Sequence, residues 1–109
     1  MNVLTIPLHK TTTAYQNGLL DIFEHGLTAF QTCMLHAPFN KAEFLKIINS
    51  CVHRFEKNSS DNEYNLGMYS ASGWFQHALH DFDIIEDVTE ILHPLREIIK
   101  ELQDKLNSH

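Results

Sequence analysis

The middle of this 109-residue sequence has no basic residues. No lysine or arginine lies between Lys57 and Arg96, whereas residues 58–95 contain seven acidic residues, so the net charge of −6 resides there. Proteins that bind nucleic acids neutralise phosphates with basic side chains. The charge distribution therefore argues against direct binding to DNA or RNA.

Long apolar runs are also missing from the sequence. None approaches the roughly 18 residues of a membrane span, and residues 1–10 lack the charged start and long apolar segment of a secretory signal. We therefore expect a cytoplasmic protein that does not enter a membrane. Cys33 and Cys51 should then be reduced thiols, and a disulfide between them is the alternative in an oxidising compartment.

Motifs that identify a reaction are absent. The sequence has only four glycines and no GxxxxGK[ST], GxSxG or EF-hand pattern. Both cysteines fall in apolar stripes, where cysteine usually behaves as a small hydrophobic residue and not as the nucleophile of a Cys–His pair. We therefore expect no enzymatic activity and no cofactor.

Apolar residues recur at three- and four-residue steps along most of the chain, as they do in amphipathic helices. The pattern predicts a single-domain, all-α antiparallel bundle of about four helices over residues 1–109, preceded by a short extended arm at residues 1–11. The predicted helices span residues 12–36, 41–57, 62–81 and 84–107. Polar residues that can cap a helix lie at each predicted start, namely the threonines at 11–13, Asn40 with Glu43, Ser60 with Glu63, and Asp83 with Glu86. Residues 58–62, NSSDN, form the clearest loop.

The last predicted helix has the most regular apolar pattern, and its stripe is wide enough to contact two neighbouring helices. Pro94 lies inside it and removes one backbone hydrogen bond. A large apolar surface left exposed on a monomer usually marks an interface. The pattern therefore predicts a homodimer whose interface contains Leu95, Ile98, Ile99, Leu102 and Leu106.

Trp74 lies about 100° from the centre of the apolar stripe of the third predicted helix when successive residues turn by 100°. An exposed aromatic side chain surrounded by polar groups is typical of a binding anchor, although large aromatic residues are mostly buried, and Trp74 packing against another helix is the alternative. The predicted partner-binding residues are Trp74, Asp81, Asp83, Glu86, Asp87 and Glu90.

An acidic surface favours a protein partner whose own surface is basic. We expect the chain to bind such a partner and modulate it, as inhibitors, antitoxins, immunity proteins and phage-type regulators do. This expectation rests on the similar size and composition of those proteins and not on any resemblance of residues. The alternative is that the acidic residues serve only to keep the protein in solution.

Two histidines three residues apart, His77 and His80, lie on the polar side of the third predicted helix next to Asp81. The three side chains could supply two or three metal ligands, but zinc requires three or four, and no CxxC or HExxH spacing is present. A solvated histidine pair is the expected state. A metal-binding or catalytic bundle built on these residues is the alternative function.

Overall fold

The structure is a computed structural model that describes residues 12–34, 41–80 and 89–107, except the side chains of Met34, Thr89 and Glu90. Of the described residues, 91% are helical, and they contain no strand. The four helices are α1 (Thr13–Met34), α2 (Lys41–Lys57), α3 (Asn62–Ala78) and α4 (Thr89–Asn107). The predicted all-α bundle of four helices is confirmed. The arm predicted at residues 1–11 and the helix ends predicted within 35–40 and 81–88 lie outside the described residues.

The bounds of α2 and the end of α4 agree with the prediction, whereas α1 begins one residue later and α3 ends earlier than predicted. Thr12 caps α1, because its Oγ1 accepts the N–H of Tyr15 at 3.1 Å. The third helix was predicted to reach residue 81, but α3 ends at Ala78. The N–H of Leu79 there bonds back to the carbonyl oxygen of Phe75 at 3.0 Å. α4 continues through Pro94.

The N-cap of α3 is Asp61, so the capping box predicted from Ser60 is wrong. Asp61 has an extended backbone (φ −85°, ψ 109°) immediately before the helix. Its Oδ1 accepts the N–H of Glu63 at 2.9 Å and the N–H of Tyr64 at 3.2 Å. Ser60 lies one residue too early to reach these donors. The cap determines where the polar turn ends and α3 begins.

Consecutive helices run antiparallel from α1 to α3. Phe30 of α1 packs on Phe44 near the start of α2, whereas His25 packs on Phe55 near its end. α2 and α3 are also antiparallel, because Glu56 near the end of α2 bonds to Tyr69, whereas the earlier Asn49 accepts from the Oγ of the later Ser72 at 3.4 Å. It follows that α1 and α3 are parallel. α1 is the central helix, since it packs against each of the other three.

The parallel helices α1 and α3 meet backbone to backbone at two glycines. A Cβ added to Gly18 would lie 2.1 Å from the carbonyl oxygen of Tyr64, and one added to Gly67 would lie 2.1 Å from the carbonyl oxygen of Tyr15. Real Cβ atoms do not approach other atoms this closely, so only glycine fits at either position. This close crossing makes α1 and α3 the most extensively packed helix pair.

Aromatic rings fill the core between α1, α2 and α3. Phe23 contacts Trp74 and Phe75 edge to face, at centroid distances of 5.5 and 5.7 Å. Phe44 contacts Phe75 at 5.3 Å and Phe30 at 5.5 Å in similar geometry. Edge-to-face pairs of this kind contribute roughly 0.5–1.5 kcal/mol each beyond the area they bury. These rings hold the three helices together in the part of the bundle that follows the glycine crossing along α1 and α3.

Candidate functional site

The expectation that Trp74 is exposed is wrong. Only 6% of Trp74 is accessible, and its ring packs against Phe23 and Phe75. α3 has helices on two of its sides, so its buried arc is wider than the stripe that was assumed to be centred near Phe75. Trp74 is therefore a residue of the hydrophobic core. Of the acids predicted to surround it, Asp81, Asp83, Glu86 and Asp87 lie outside the described residues, as does the side chain of Glu90.

The predicted dimer interface on α4 is mostly covered by the chain itself. Leu95 and Leu102 have no accessible surface, and Ile99 is 7% accessible. Ile98 and Leu106 are half-buried. The wide stripe of α4 packs against α1 within the same chain, and these side chains therefore cannot form the main contact with a second copy. The assignment of the interface to α4 is corrected.

His77 and His80 are exposed, as the helical pattern predicts, but Asp81 lies outside the described residues. The ranges that the structure describes contain no group of three or more histidine, cysteine, aspartate or glutamate side chains that could hold a metal ion. Cys33 and Cys51 are both free thiols. Burial, and to a lesser extent the charge of Glu43, raises the pKa of the Cys33 thiol. A raised pKa keeps the thiol protonated and lowers its reactivity as a nucleophile.

An open cleft of about 510 Å³ lies where the first half of α1 meets the turn between α2 and α3. We call it the Asp21 cleft. α1 contributes three residues to its lining, the end of α2 and the turn contribute four, and α3 contributes Tyr64. The lining residues are Ala14, Asn17, Asp21, Phe55, Asn58, Ser59, Asp61 and Tyr64. The lining thus combines polar groups of several kinds with two aromatic rings, those of Phe55 and Tyr64.

Tyr64 fixes the position of the Asp21 carboxylate in this cleft. The phenol of Tyr64 donates a hydrogen bond to Asp21 Oδ2. Burial raises the pKa of Tyr64 above its usual range, and the hydrogen bond to Asp21 and the charge of that carboxylate raise it further. Tyr64 therefore remains a donor at neutral pH. The bond joins α1 to α3 and orients a carboxylate toward the cleft.

The second carboxylate of the cleft is also fixed. Asp61 accepts two backbone N–H groups as the cap of α3, both through Oδ1. None of the eight lining residues is a lysine, arginine or histidine. The cleft therefore carries two negative charges in defined positions and, among its described lining residues, no positive charge to balance them.

A smaller cleft of about 350 Å³ lies between α2 and α3. Glu56 joins two side chains in its lining: Tyr69 donates a hydrogen bond to it, and Nδ1 of His53 lies 3.9 Å from its Oε2. The hydrogen bond to Glu56 raises the pKa of Tyr69, and partial desolvation and the charge of Glu56 act in the same direction. Because His53 and Tyr69 are exposed to solvent, we propose neither a ligand nor a reaction for this cleft.

No protein family, no curated protein and no solved structure matches the chain. Among the described residues, no helix is long and apolar enough to cross a membrane.

Sequence patterns did not identify the Asp21 cleft. Its two carboxylates are forty residues apart in the chain, and only the crossing of α1 with α3 brings them to one place. One signal was present in the sequence: Asp21 is one of only two acidic residues in α1. The other acid, Glu24, lies one turn further along α1, so this signal does not single out Asp21; the contact with Tyr64 does.

Proposed function

We propose that this protein binds a protein partner with a basic surface and modulates that partner, in the manner of a small inhibitor, antitoxin, immunity protein or phage-type regulator. The observation that carries the proposal is the Asp21 cleft, where Asp21 and Asp61 face a common space and none of the described lining residues is basic. The acids at 81–90 remain predicted contributors to the same binding. The two free cysteines suit the reducing cytoplasm, which we include in the proposal.

The cleft suits the side chain of a lysine or arginine. The carboxylates can accept hydrogen bonds from a cationic head group, and charge-assisted bonds of this kind are stronger than neutral ones. The ring of Phe55 lines the same space. The guanidinium of Arg54 and the ring of His25 already pack on it, at 5.4 and 5.1 Å from its centroid, and its half-exposed surface can also contact the methylene stem of such a side chain. Tyr64 and the backbone of α3 already hold the carboxylates in place, so these side chains lose little conformational entropy when a partner binds.

Titration of isotopically labelled protein with a short arginine-rich peptide, followed by amide chemical shifts, tests the proposal. We expect the largest shifts at Ala14, Asn17, Asn58 and Ser59, which line the cleft. The double variant Asp21→Asn with Asp61→Asn removes both charges. Asn is as good an N-cap as Asp, and it retains an acceptor for the Tyr64 hydroxyl, so the variant should fold normally.

The matched control removes two acids from the exposed surface of α4, Glu97→Gln with Asp104→Asn. It changes the net charge by the same amount and leaves the cleft intact. We expect the control to bind the peptide like the parent and the cleft variant to lose the shifts at the cleft. A peptide in which citrulline replaces arginine should not bind. Equal weakening in both variants, or shifts spread over the whole surface, would show that overall charge alone attracts the peptide and would contradict the proposal.

A further inference from the structure

The hydrogen bond between Tyr64 and Asp21 has a counterpart across the crossing of α1 and α3. The hydroxyl of Tyr64 in α3 donates to Asp21 of α1, and the hydroxyl of Tyr15 in α1 donates to Ser70 of α3. In both helices the tyrosine precedes the glycine of the crossing by three residues. The two acceptors are separated along the chain by the same number of residues as the two tyrosines. An approximate two-fold axis therefore relates the two hydrogen bonds.

The counterpart shows that this contact can be built without a charge. Ser70 accepts the Tyr15 hydroxyl with a neutral oxygen, and the helices are equally close on both sides, since a Cβ added to either glycine of the crossing would lie 2.1 Å from a backbone oxygen. Asp21 is half-buried, and removing an ionised carboxylate from water is unfavourable. The fold therefore does not explain the charge of Asp21, whereas a cationic ligand of the cleft would.

Each carboxylate of the cleft already has one engaged oxygen. Oδ2 of Asp21 accepts the hydroxyl of Tyr64. Oδ1 of Asp61 accepts two backbone N–H groups, at 2.9 and 3.2 Å, one for each of its lone pairs. A guanidinium binds a carboxylate most strongly when two parallel N–H groups meet both of its oxygens. In this cleft such a contact would compete with bonds that the protein already makes, so the usual advantage of arginine is lost.

Three acceptors in the lining have no hydrogen-bond donor among the described residues. Two are the remaining carboxylate oxygens, Oδ1 of Asp21 and Oδ2 of Asp61. The third is Oδ1 of Asn58, whose amide nitrogen donates to the carbonyl oxygen of Arg54 at 3.1 Å. An ammonium group carries three N–H donors on a single nitrogen and can bond to oxygens of separate residues. The acceptors of the cleft therefore match the head group of a lysine.

The ring of Phe55 also favours lysine. Arginine gains affinity when its planar head group stacks on an aromatic face. The guanidinium of Arg54 already lies 5.4 Å from the centroid of the Phe55 ring, and a second guanidinium at the same ring would meet a like charge. The uncharged methylene stem of a lysine needs only the part of Phe55 that is left accessible.

We propose that the Asp21 cleft recognises a lysine side chain of the partner and discriminates against arginine at the same position. The proposal rests on the basic partner proposed above and names the side chain of that partner that enters the cleft. Asp21 and Asp61 bind the ammonium group, Asn58 supplies the third acceptor, and Phe55 lies along the stem. Tyr64 is a positioning residue, because it keeps one oxygen of Asp21 engaged.

Two short peptides of equal length and charge, one with lysine and one with arginine at every basic position, test this proposal. Each is titrated into the isotopically labelled full chain, and the amide shifts of the residues that line the cleft give the dissociation constants. The lysine peptide should bind roughly fivefold more tightly or better, because one hydrogen bond to a charged group can produce such a difference. A trimethyl-lysine peptide keeps the charge but has no N–H donor, and it should bind more weakly than the lysine peptide.

Three variants connect the preference to the proposed contacts. Tyr64→Phe frees the second oxygen of Asp21, so the arginine peptide should gain affinity relative to the lysine peptide. Asp21→Ser copies the arrangement around Tyr15, so it should fold normally and lose the preference for lysine. Ser70→Ala is the matched control, since it removes the acceptor of the other tyrosine and leaves the Asp21 cleft intact. We expect it to keep the preference of the parent, and thermal unfolding checks that each variant is folded.

The outcomes separate this proposal from the proposed function. Equal affinities for the two peptides, or tighter binding of the arginine peptide, would overturn the preference for lysine and leave the basic partner in place. A preference that persists in Asp21→Ser, or an unchanged affinity ratio in Tyr64→Phe, would also overturn it, because the carboxylate oxygens would not determine the preference. If neither peptide shifted the residues of the cleft, both proposals would be wrong.

Discussion

Gly18 and Gly67 each occupy the space beside a carbonyl oxygen of the opposite helix, and together they let α1 and α3 touch without an intervening side chain. The contact is reciprocal, since the Cβ position of each glycine points at the other backbone. It fixes both the distance and the register of the two helices. Thr12 and Glu63, joined by a 3.4 Å hydrogen bond, and the bond from Tyr64 to Asp21 depend on that register.

Substituting either glycine of the crossing should destabilise the fold. We expect Gly18→Ala or Gly67→Ala to lower the free energy of unfolding by about 2 kcal/mol or more, because a methyl group would have to displace backbone and not a flexible side chain. Gly73→Ala is the control for helix propensity and should raise that free energy by about 0.5–1 kcal/mol. Urea unfolding at low protein concentration measures all three. A stabilising effect at position 18 would contradict the close crossing.

The N-cap assignment can be tested at two adjacent residues, Ser60 and Asp61. Asp61→Ala should cost about 1 kcal/mol, because two N–H groups at the start of α3 would lose their acceptor. Ser60→Ala should change stability little, and Asp61→Asn should preserve it. Thermal unfolding followed by circular dichroism compares the three variants. If Ser60→Ala were the damaging change, the capping box predicted from the sequence would be correct after all.

Tyr64 should make stability depend on pH in the alkaline range. Its pKa in the folded protein lies above the value of about 10 expected for an unfolded chain. The protonated phenol is therefore favoured by folding, so its contribution is complete below pH of about 10 and is lost as the pH rises further. We expect the free energy of unfolding to fall less steeply above that pH in Tyr64→Phe than in the parent. Absorbance in the tyrosinate band should also show that the variant has one fewer tyrosine that ionises only well above a pH of about 10.

Trp74 should behave as a core residue and not as a surface anchor. We expect Trp74→Ala to lower the free energy of unfolding by about 3–5 kcal/mol, because it removes a buried ring between Phe23 and Phe75. Chemical unfolding followed by far-ultraviolet circular dichroism provides the measurement, since the variant has no tryptophan to report by fluorescence. A loss of less than about 1 kcal/mol would mean that the ring is exposed in solution.

Local patterns in the sequence were sufficient to predict the helices. α2 was predicted at its observed bounds because polar residues precede its apolar stripe and the NSSDN loop follows it. α3 was placed correctly at its start but extended too far, since the sequence from Tyr64 to His80 has no acidic residue, lysine or arginine to mark the last turn. The error in its cap has a similar cause, because Ser60 and Asp61 are adjacent and both are good capping residues.

Contacts between distant parts of the chain could not be predicted in the same way. A turn of about 100° per residue describes one helix alone. The prediction therefore centred the buried side of α3 on a single apolar stripe and placed Trp74 outside it. The stripe of α4 was wide enough for two neighbours, but its width did not show that α1 of the same chain would cover it. The Asp21 cleft depends on the glycine crossing, and the number of glycines in a sequence does not show which two helices they bring together.

The glycine crossing also affects how fast the chain can fold. Gly18 and Gly67 are about fifty residues apart, and all of α2 lies between them. Helical bundles fold quickly when their main contacts are local in sequence, because little chain entropy is lost before the contacts form. Here the closest contact between helices closes a loop that contains another helix, and the entropy cost of closure grows with the logarithm of loop length. We therefore expect a higher relative contact order and slower folding than in a bundle whose tightest contacts join consecutive helices.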